Sequence, residues 1–329
     1  MLPMTASFIL IISFLPFWIK RAKNAGLDGK DMNKYDKRRV AEAGGVVVIA
    51  GFILGVMLYV AIKTFYFNSQ ENLIEIFVLL ISVIILSFIG MIDDILGWKI
   101  GLGKKVRIFL VLIAAIPLMV INAGDSNVTI LAVNGIALGW VYALFLIPIG
   151  IVGATTTFNF LAGFNGLEAG QGVLIISALS LAAYFTGNAW LALIGLCMVF
   201  SLLAFLFFNK YPAKVFPGDV LTYPVGGMIA IMAILGNMER IALFFFIPYI
   251  IEVFLKARGK LKKQSFGKPK KDGSLEMPYD KIYGLEHLAI WFLKKVRGKA
   301  TEKEVVYSIY AFQVVIILIG ILIFRKNIF

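Results

Sequence analysis

Long uncharged apolar runs, broken by short polar connections, dominate this chain. They are Leu2–Ile19, Ala43–Ile62, Ile76–Ile92, Ile108–Ile121, Ile136–Phe158, Val173–Gly187, Ala189–Phe208, Val220–Gly236, Ile241–Ile251 and Val305–Phe324. Most are long enough to cross a hydrocarbon core of about 30 Å as a helix, and the shorter ones must tilt, thin the bilayer or borrow flanking residues. The pattern predicts an all-α, polytopic membrane protein of about ten transmembrane helices, one domain over residues 1–329. Two places decide the count: the break at Thr186–Asn188 between spans six and seven, and the ninth span, which ends against Glu252.

Composition agrees. The 329 residues are 60% hydrophobic and 16% charged, with mean hydropathy +0.90, whereas a soluble domain is about half apolar and about a quarter charged. The basic residues of WIKRAKNAG follow the first run instead of preceding it. That is not the order of a signal peptide, so the run stays as a span with its basic end in the cytoplasm. Ten spans then leave both termini outside. The connections after spans one, three, seven and nine carry 8, 4, 2 and 14 of the 32 Lys+Arg. The remaining four, Lys63, Arg240, Arg325 and Lys326, fall outside, the last two against the positive-inside rule. The net charge of +13 therefore reads as topology and attraction to anionic lipid head groups, not as a nucleic-acid footprint. One cysteine, Cys197, and one histidine, His287, exclude an internal disulfide, a zinc site and a Cys–His pair. The only sizeable soluble excursion is basic and runs from about 256 to 304; within it, GLEHLAIWFLKKVRGK suits a helix lying in the interface.

The unusual polar residues gather on one face. Asp93-Asp94 ends the third run. The pair reads either as interfacial solvating charges or as a magnesium and phosphate site, because Mg²⁺ takes hard oxygen ligands, often one or two carboxylates plus substrate phosphates. NFLAGFNGLEAGQG, Asn159–Gly172, is longer than a tight helix–helix turn needs. Its glycines let backbone approach a ligand, and exposed N–H groups before a helix favour phosphate. In FPGDV, Asp219 is either a helix cap or a third carboxylate at the same face. Three carboxylates without zinc ligands point to Mg²⁺ and a diphosphate. Any one lysine of KARGKLKKQSFGKPKKDG is as readily a solvated lipid-facing charge as a substrate clamp, and His287 reads as structural.

DD at 93–94, NFLAGFNGLEAGQG, KYPAKVFPGD, DGSLEMPY, and GKDMNK followed by AEAGG together resemble the polyprenyl-phosphate N-acetylhexosamine-1-phosphate transferase superfamily. The branch is that of the dolichyl-phosphate N-acetylglucosamine-phosphotransferases of glycosyltransferase family 4. The resemblance covers nearly the whole chain. It implies a ten-helix fold with a cytoplasmic site, and Asn159 and Asp219 as ligands of Mg²⁺, or of Mn²⁺ in its place. It further implies Asp93 and Asp94 as the paired aspartates, Lys104 or Lys105 as the lysine that meets phosphate, Asn165 and the Gly163 backbone as the uracil-binding loop, and Glu42 on the sugar side. The sugar clamp of the eukaryotic branch is replaced near Lys262-Lys263-Gln264, the bacterial histidine cluster is absent, and Gly97 stands where a further aspartate would complete a DD-x-x-D pattern. The implied partners are a UDP-sugar, UDP-N-acetylglucosamine foremost, a polyprenyl or dolichyl phosphate, and the plasma-membrane bilayer, with a homodimer left open. The competing reading is a transporter of nucleotide sugars or lipid-linked sugars, which would place ionisable groups within spans and carry an inverted repeat.

Overall fold

The structure is a computed structural model and describes residues 1–97, 101–130 and 133–328. Lys99, one of the basic residues counted after the third run, lies outside the described residues. In chain order the helices are α1 (Leu2–Asn24), α2 (Gly45–Ala61), α3 (Leu73–Leu96), α4 (Lys104–Val120), α5 (Ile147–Phe158), α6 (Leu167–Phe185), α7 (Ala189–Asn209), α8 (Asp219–Leu235), α9 (Glu239–Phe245), α10 (Ile247–Arg258), α11 (Leu285–Arg297) and α12 (Glu302–Ile328). A π-helical turn, Ile62–Tyr66, prolongs α2, and another, Tyr142–Leu146, leads into α5.

Among the described residues six helices are long and apolar enough to cross a membrane: Leu2–Asn24, Gly45–Tyr66, Leu73–Leu96, Leu167–Phe185, Ala189–Asn209 and Glu302–Lys326. Tyr142–Phe158 and Asp219–Leu235 are shorter apolar helices. Large apolar side chains such as Phe14, Phe109, Ile149 and Leu322 face outward, as acyl chains require of a multi-pass membrane protein. The break at Thr186–Asn188 separates α6 from α7 where the sequence places it.

Three departures have local causes. The protein is mainly helical rather than all-α: three two-stranded antiparallel ribbons join β1 (Asp28–Lys30) to β2 (Arg39–Ala41), β3 (Asn127–Ile130) to β4 (Val133–Ala137), and β5 (Lys268–Pro269) to β6 (Leu275–Glu276). The fifth apolar run begins as strand β4 and turns helical only after Gly139. The ninth run is broken at Phe246 into α9 and α10, with Pro248 in the first turn of α10, where its missing N–H costs nothing.

The core centres on α8. Every residue from Val220 to Ile234 is buried, because α8 packs among α3, α5, α6 and α2 and is apolar all round. Gly90 lets α3 come close: a Cβ there would collide with the Asp219 carbonyl. Asp93 and Asp94 lie three and four residues further on, on the same helix face, and so arrive at the start of α8. On the other side, residues 41–45 are zipped to 215–217. Phe216 N–H donates to the Ala41 carbonyl at 2.7 Å, and Gly44 and Gly45 donate to the Phe216 and Pro217 carbonyls at 3.0 Å each. The first polar connection and the turn before α8 thus form one layer around the N-terminus of α8.

Candidate active site

A cleft of about 590 Å³ opens at that layer. Asp93, Asp94, Asn159, Gly163, Asp219 and Glu42 all line it. Residues from four separate polar connections therefore meet at one end of the bundle. A second cavity of about 470 Å³, lined by Tyr59, Lys63 and Leu193 at the opposite ends of the helices, offers one charged side chain among the described residues and no carboxylate.

The two aspartates of the DD pair do different things. Asp94 accepts the N–H groups of Asp219 at 2.8 Å and Val220 at 3.0 Å. It caps α8 from a neighbouring helix, satisfying two of the donors that every helix start leaves open. Asp93 is 5% exposed and is held by Arg107 in a salt bridge. It also accepts the Leu102 N–H at 2.6 Å and the Tyr223 hydroxyl at 3.4 Å. Arg107 reaches Asp219 as well, at 3.8 Å, and lies 5.7 Å from the Tyr223 ring centre. Among the described residues its Nε–H is buried with no hydrogen-bond partner. Asn159 ends α5 and accepts the Thr222 hydroxyl at 3.2 Å, so its carbonyl oxygen is linked to the first turn of α8 beside Asp219.

Gly163 has φ +103, which favours glycine, and the Phe266 ring covers it so closely that a Cβ would lie 2.7 Å from the ring. Its N–H donates to Glu168 Oε1 at 2.7 Å. Glu42 lines the cleft half-buried; burial first, and the Asp28 charge second, push its carboxyl above the ordinary range.

Other residues singled out from the sequence stand elsewhere. Asn165 is buried behind the wall. Its Oδ1 accepts the Ala213 N–H at 2.7 Å, its amide donates to Asp31 at 3.2 Å, and its N–H donates to Glu302 at 2.8 Å. It therefore brackets the loop and does not line the cleft. Lys104 and Lys105 are exposed and off the cleft, with Lys104 donating to the Leu261 carbonyl at 3.4 Å. Lys262 is exposed, and Lys263 sits 4.7 Å from the Tyr279 ring centre, neither of them lining the cleft. The cation at the carboxylates is Arg107. The available signal was its place on the stripe of Val111, Ala114 and Leu118, the buried face of α4.

His287 is fully buried, and burial, then the Lys256 charge, push its pKa down to about 4, so it is neutral near pH 7 and away from the cleft. Among the described residues, both carboxyl oxygens of its neighbour Glu286 are buried and meet no hydrogen-bond donor in good geometry. Burial first, and the Glu252 charge second, raise its pKa well above 4.5. A pKa raised on folding adds stability below the unfolded value that is lost as pH rises through the folded value. The melting temperature should therefore fall as the pH rises above the ordinary carboxylate range, and Glu286→Gln should flatten that slope and melt higher at the alkaline end. Parallel slopes for the two proteins would contradict this.

The cleft's chemistry is acidic. Seven carboxylates line it against two cationic side chains, Lys30 and Arg107, and no His or Cys joins them. Among the described residues no three His, Cys, Asp or Glu side chains converge as a ready metal cluster. The donors are hard oxygens, which suit Mg²⁺ bound partly by a substrate's own phosphates.

The sequence pattern of the family described as Glycosyl transferase family 4 matches residues 76–237, the stretch that carries Asp93, Asp94, Asn159, Gly163 and Asp219. A putative UDP-N-acetylglucosamine–dolichyl-phosphate N-acetylglucosaminephosphotransferase of Saccharolobus solfataricus is 34% identical over 324 residues, 98% of this chain and 96% of that protein. The chain belongs to glycosyl transferase family 4. Within the family, a UDP-N-acetylglucosamine–dolichyl-phosphate N-acetylglucosaminephosphotransferase of Dictyostelium discoideum is 27% identical over 281 residues, 74% of this chain and 68% of the relative. A phospho-N-acetylmuramoyl-pentapeptide-transferase of Halalkalibacterium halodurans is 27% identical over 278 residues, 79% of this chain and 84% of the relative.

Proposed function

We propose that the protein transfers N-acetylglucosamine-1-phosphate from UDP-N-acetylglucosamine to a polyprenyl or dolichyl phosphate, releasing UMP. The observation that carries this is the acidic cleft at the start of α8, set in a membrane protein beside a helix that faces lipid. Ile95, next to Asp94, lines the cleft and is 66% exposed. A lipid-borne phosphate can approach along α3, while a soluble nucleotide sugar enters through the polar connections.

The acceptor's phosphate oxygen bonds to the β-phosphorus, the bond from that phosphorus to the bridging oxygen breaks, and UMP carries the electron pair away. The second pKa of a phosphomonoester is about 6, so the acceptor is mostly dianionic near neutral pH and needs no base. Asp93, already engaged by Arg107, Leu102 and Tyr223, serves as a positioning group, and so does Asp94 through α8. The barrier is charge: two anions meet in an acidic cleft. Arg107, whose Nε–H has no partner among the described residues, meets phosphate oxygens. Asp219 and Asn159 would hold Mg²⁺, which supplies charge neutralisation on the diphosphate when bound. Gly163 and its loop receive the uracil side, shaped from behind by Asn165, and Glu42 stands toward the sugar.

Ten crossings follow if α4, α5 with its π-helical lead, α8, and α9 with α10 join the six long helices. The cleft then faces the cytoplasm, and the protein sits in the plasma membrane. Cysteines replacing Lys37 and Lys271 should label only from the cytoplasmic side, and those replacing Gln70 and Thr186 only from outside; native Cys197 is buried and stays silent. Label on Lys37 and Thr186 positions from one side would break the topology.

The enzymatic reading is tested with purified protein, polyprenyl phosphate and Mg²⁺. UMP should appear with UDP-N-acetylglucosamine, and far more slowly with UDP-glucose, because a site that pairs the acetamido group leaves its partners unpaired without it. A transporter would release no UMP from either.

A further inference from the structure

The second cavity lies at the far end of the bundle from the cleft. One continuous helix, Gly45–Tyr66, runs from the layer around α8 to Lys63, which lines that cavity. At 1.5 Å per residue, Gly45 and Lys63 are about 27 Å apart. A hydrocarbon core is about 30 Å thick. The cavity therefore sits at the head-group level of the leaflet opposite the cleft. Phe65 and Tyr66, exposed beside it, are aromatic residues of the kind that settle at that level.

Three lysines are buried among the described residues. Lys34 pairs with Asp31 and Glu302, and Lys256 pairs with Glu252. Lys63 is 9% exposed, and among the described residues no carboxylate pairs with it; its ammonium donates to the Glu71 carbonyl. An ammonium has three donors, so that bond leaves two. Burying a charge without a counter-charge is costly, and such a group at a membrane span points to a ligand. The local backbone is a second, independent sign. Lys63 lies in the π-helical turn Ile62–Tyr66, where the Phe67 N–H donates to the Ile62 carbonyl at 3.2 Å. Turns of this kind are frequent at functional sites.

The lining suits a ligand with one charged end. Leu2, Ile62 and Leu193 supply apolar surface, while Lys63, Tyr59 and Ser69 supply a cation and two hydroxyl-bearing side chains. The volume of about 470 Å³ is that of a pocket for an organic ligand, about 300–1,000 Å³, and more than a bare inorganic anion fills. We propose that this cavity binds an anionic phospholipid of the leaflet opposite the cleft, its phosphate on Lys63 and its glycerol and first chain carbons against Leu2, Ile62 and Leu193. A zwitterionic lipid carries its own cation beside the phosphate, whereas a net-anionic one leaves its charge for the lysine. The site joins the starts of α1 and α7 to the end of α2, so a bound lipid stabilises the folded bundle.

The test places the full chain in phosphatidylcholine nanodiscs with and without phosphatidylglycerol. It reads the melting temperature, and native mass spectrometry counts the lipids the protein retains. Wild type should melt several degrees higher with phosphatidylglycerol and retain one molecule of it. Lys63→Gln should bind that lipid about tenfold more weakly and lose most of the gain, and Lys63→Arg should keep both. Lys271→Gln, at an exposed lysine off the cavity, should also keep both, which separates the site from the general attraction of a chain of net charge +13 to anionic membranes. Leu193→Trp fills the cavity and leaves the lysine in place, so it too should lose the retained lipid, and it serves if Lys63→Gln does not fold. An equal gain in wild type and Lys63→Gln would overturn the proposal. So would a loss of stability in Lys63→Gln that is the same with and without phosphatidylglycerol, since Lys63 would then only clip its own turn to Glu71. Inorganic phosphate added to phosphatidylcholine discs should give no rise that depends on Lys63. A rise as large as that from phosphatidylglycerol would make the occupant a soluble anion and overturn the lipid assignment.

Discussion

Asp219→Ala and Asn159→Ala are each expected to lower kcat by about a thousandfold while the protein still inserts and folds, the scale seen when a preorganised charge-stabilising group is removed. Both side chains stand at the cleft and not in the core. Asp219 is 23% exposed on its side chain, and the turn that holds it is fixed by backbone bonds to Asp94 that the substitution leaves in place. Asn159 sits at the end of α5, and only its bond from Thr222 is lost. The loss should therefore fall on chemistry, with thermal stability nearly unchanged. A rise in the Mg²⁺ concentration needed for half-maximal rate in the milder variants Asp219→Asn and Asn159→Asp would tie the effect to the metal. Full activity of Asp219→Ala at low Mg²⁺ would remove Asp219 from that role.

Arg107→Ala should cost a comparable factor and also destabilise the protein. The guanidinium holds Asp93, which is nearly fully buried, and reaches Asp219. Removing one partner of a buried ion pair leaves an uncompensated charge, a change of about 3–5 kcal/mol. Arg107→Lys should recover part of the stability, since it restores the charge but not the planar fork. Lys104→Ala and Lys105→Ala should each stay within about tenfold of wild type, as both side chains lie off the cleft. A severe loss in Lys105→Ala with an active Arg107→Ala would reverse the assignment of the phosphate-facing cation.

The contrast between Arg107 and its lysine neighbours shows where sequence reasoning stops. Asp93, Asp94, Asn159, Gly163 and Asp219 could be read because each breaks an apolar pattern at the end of a run, and they do share one cleft. Which cation faces them depends on where α4 starts and how it turns, and a cluster of Lys and Arg within four positions, 104 to 107, does not announce that. Asn165 was legible as part of the loop but not as its bracket, because its partners Asp31, Ala213 and Glu302 are distant in sequence. The different duties of Asp93 and Asp94 were hidden for the same reason: adjacent residues on a helix point about 100° apart, and only the neighbouring α8 decides what each meets. The apolar runs fixed most helices, since a span is a long average over many residues. The ribbons escaped because strands of two to five residues are too short to display a period.

The central claim, that a sugar and its phosphate move together onto a lipid phosphate, is tested most directly by the fate of the donor's β-phosphorus. Purified protein would be given UDP-N-acetylglucosamine carrying radioactive phosphorus in its β-phosphate, with polyprenyl phosphate, Mg²⁺ and detergent, and then extracted with organic solvent. The account predicts that the label passes into the organic phase in equal amount with unlabelled UMP in the aqueous phase. Label left in the aqueous phase as UDP, which would mean transfer of the sugar alone, or as intact UDP-N-acetylglucosamine, would contradict it.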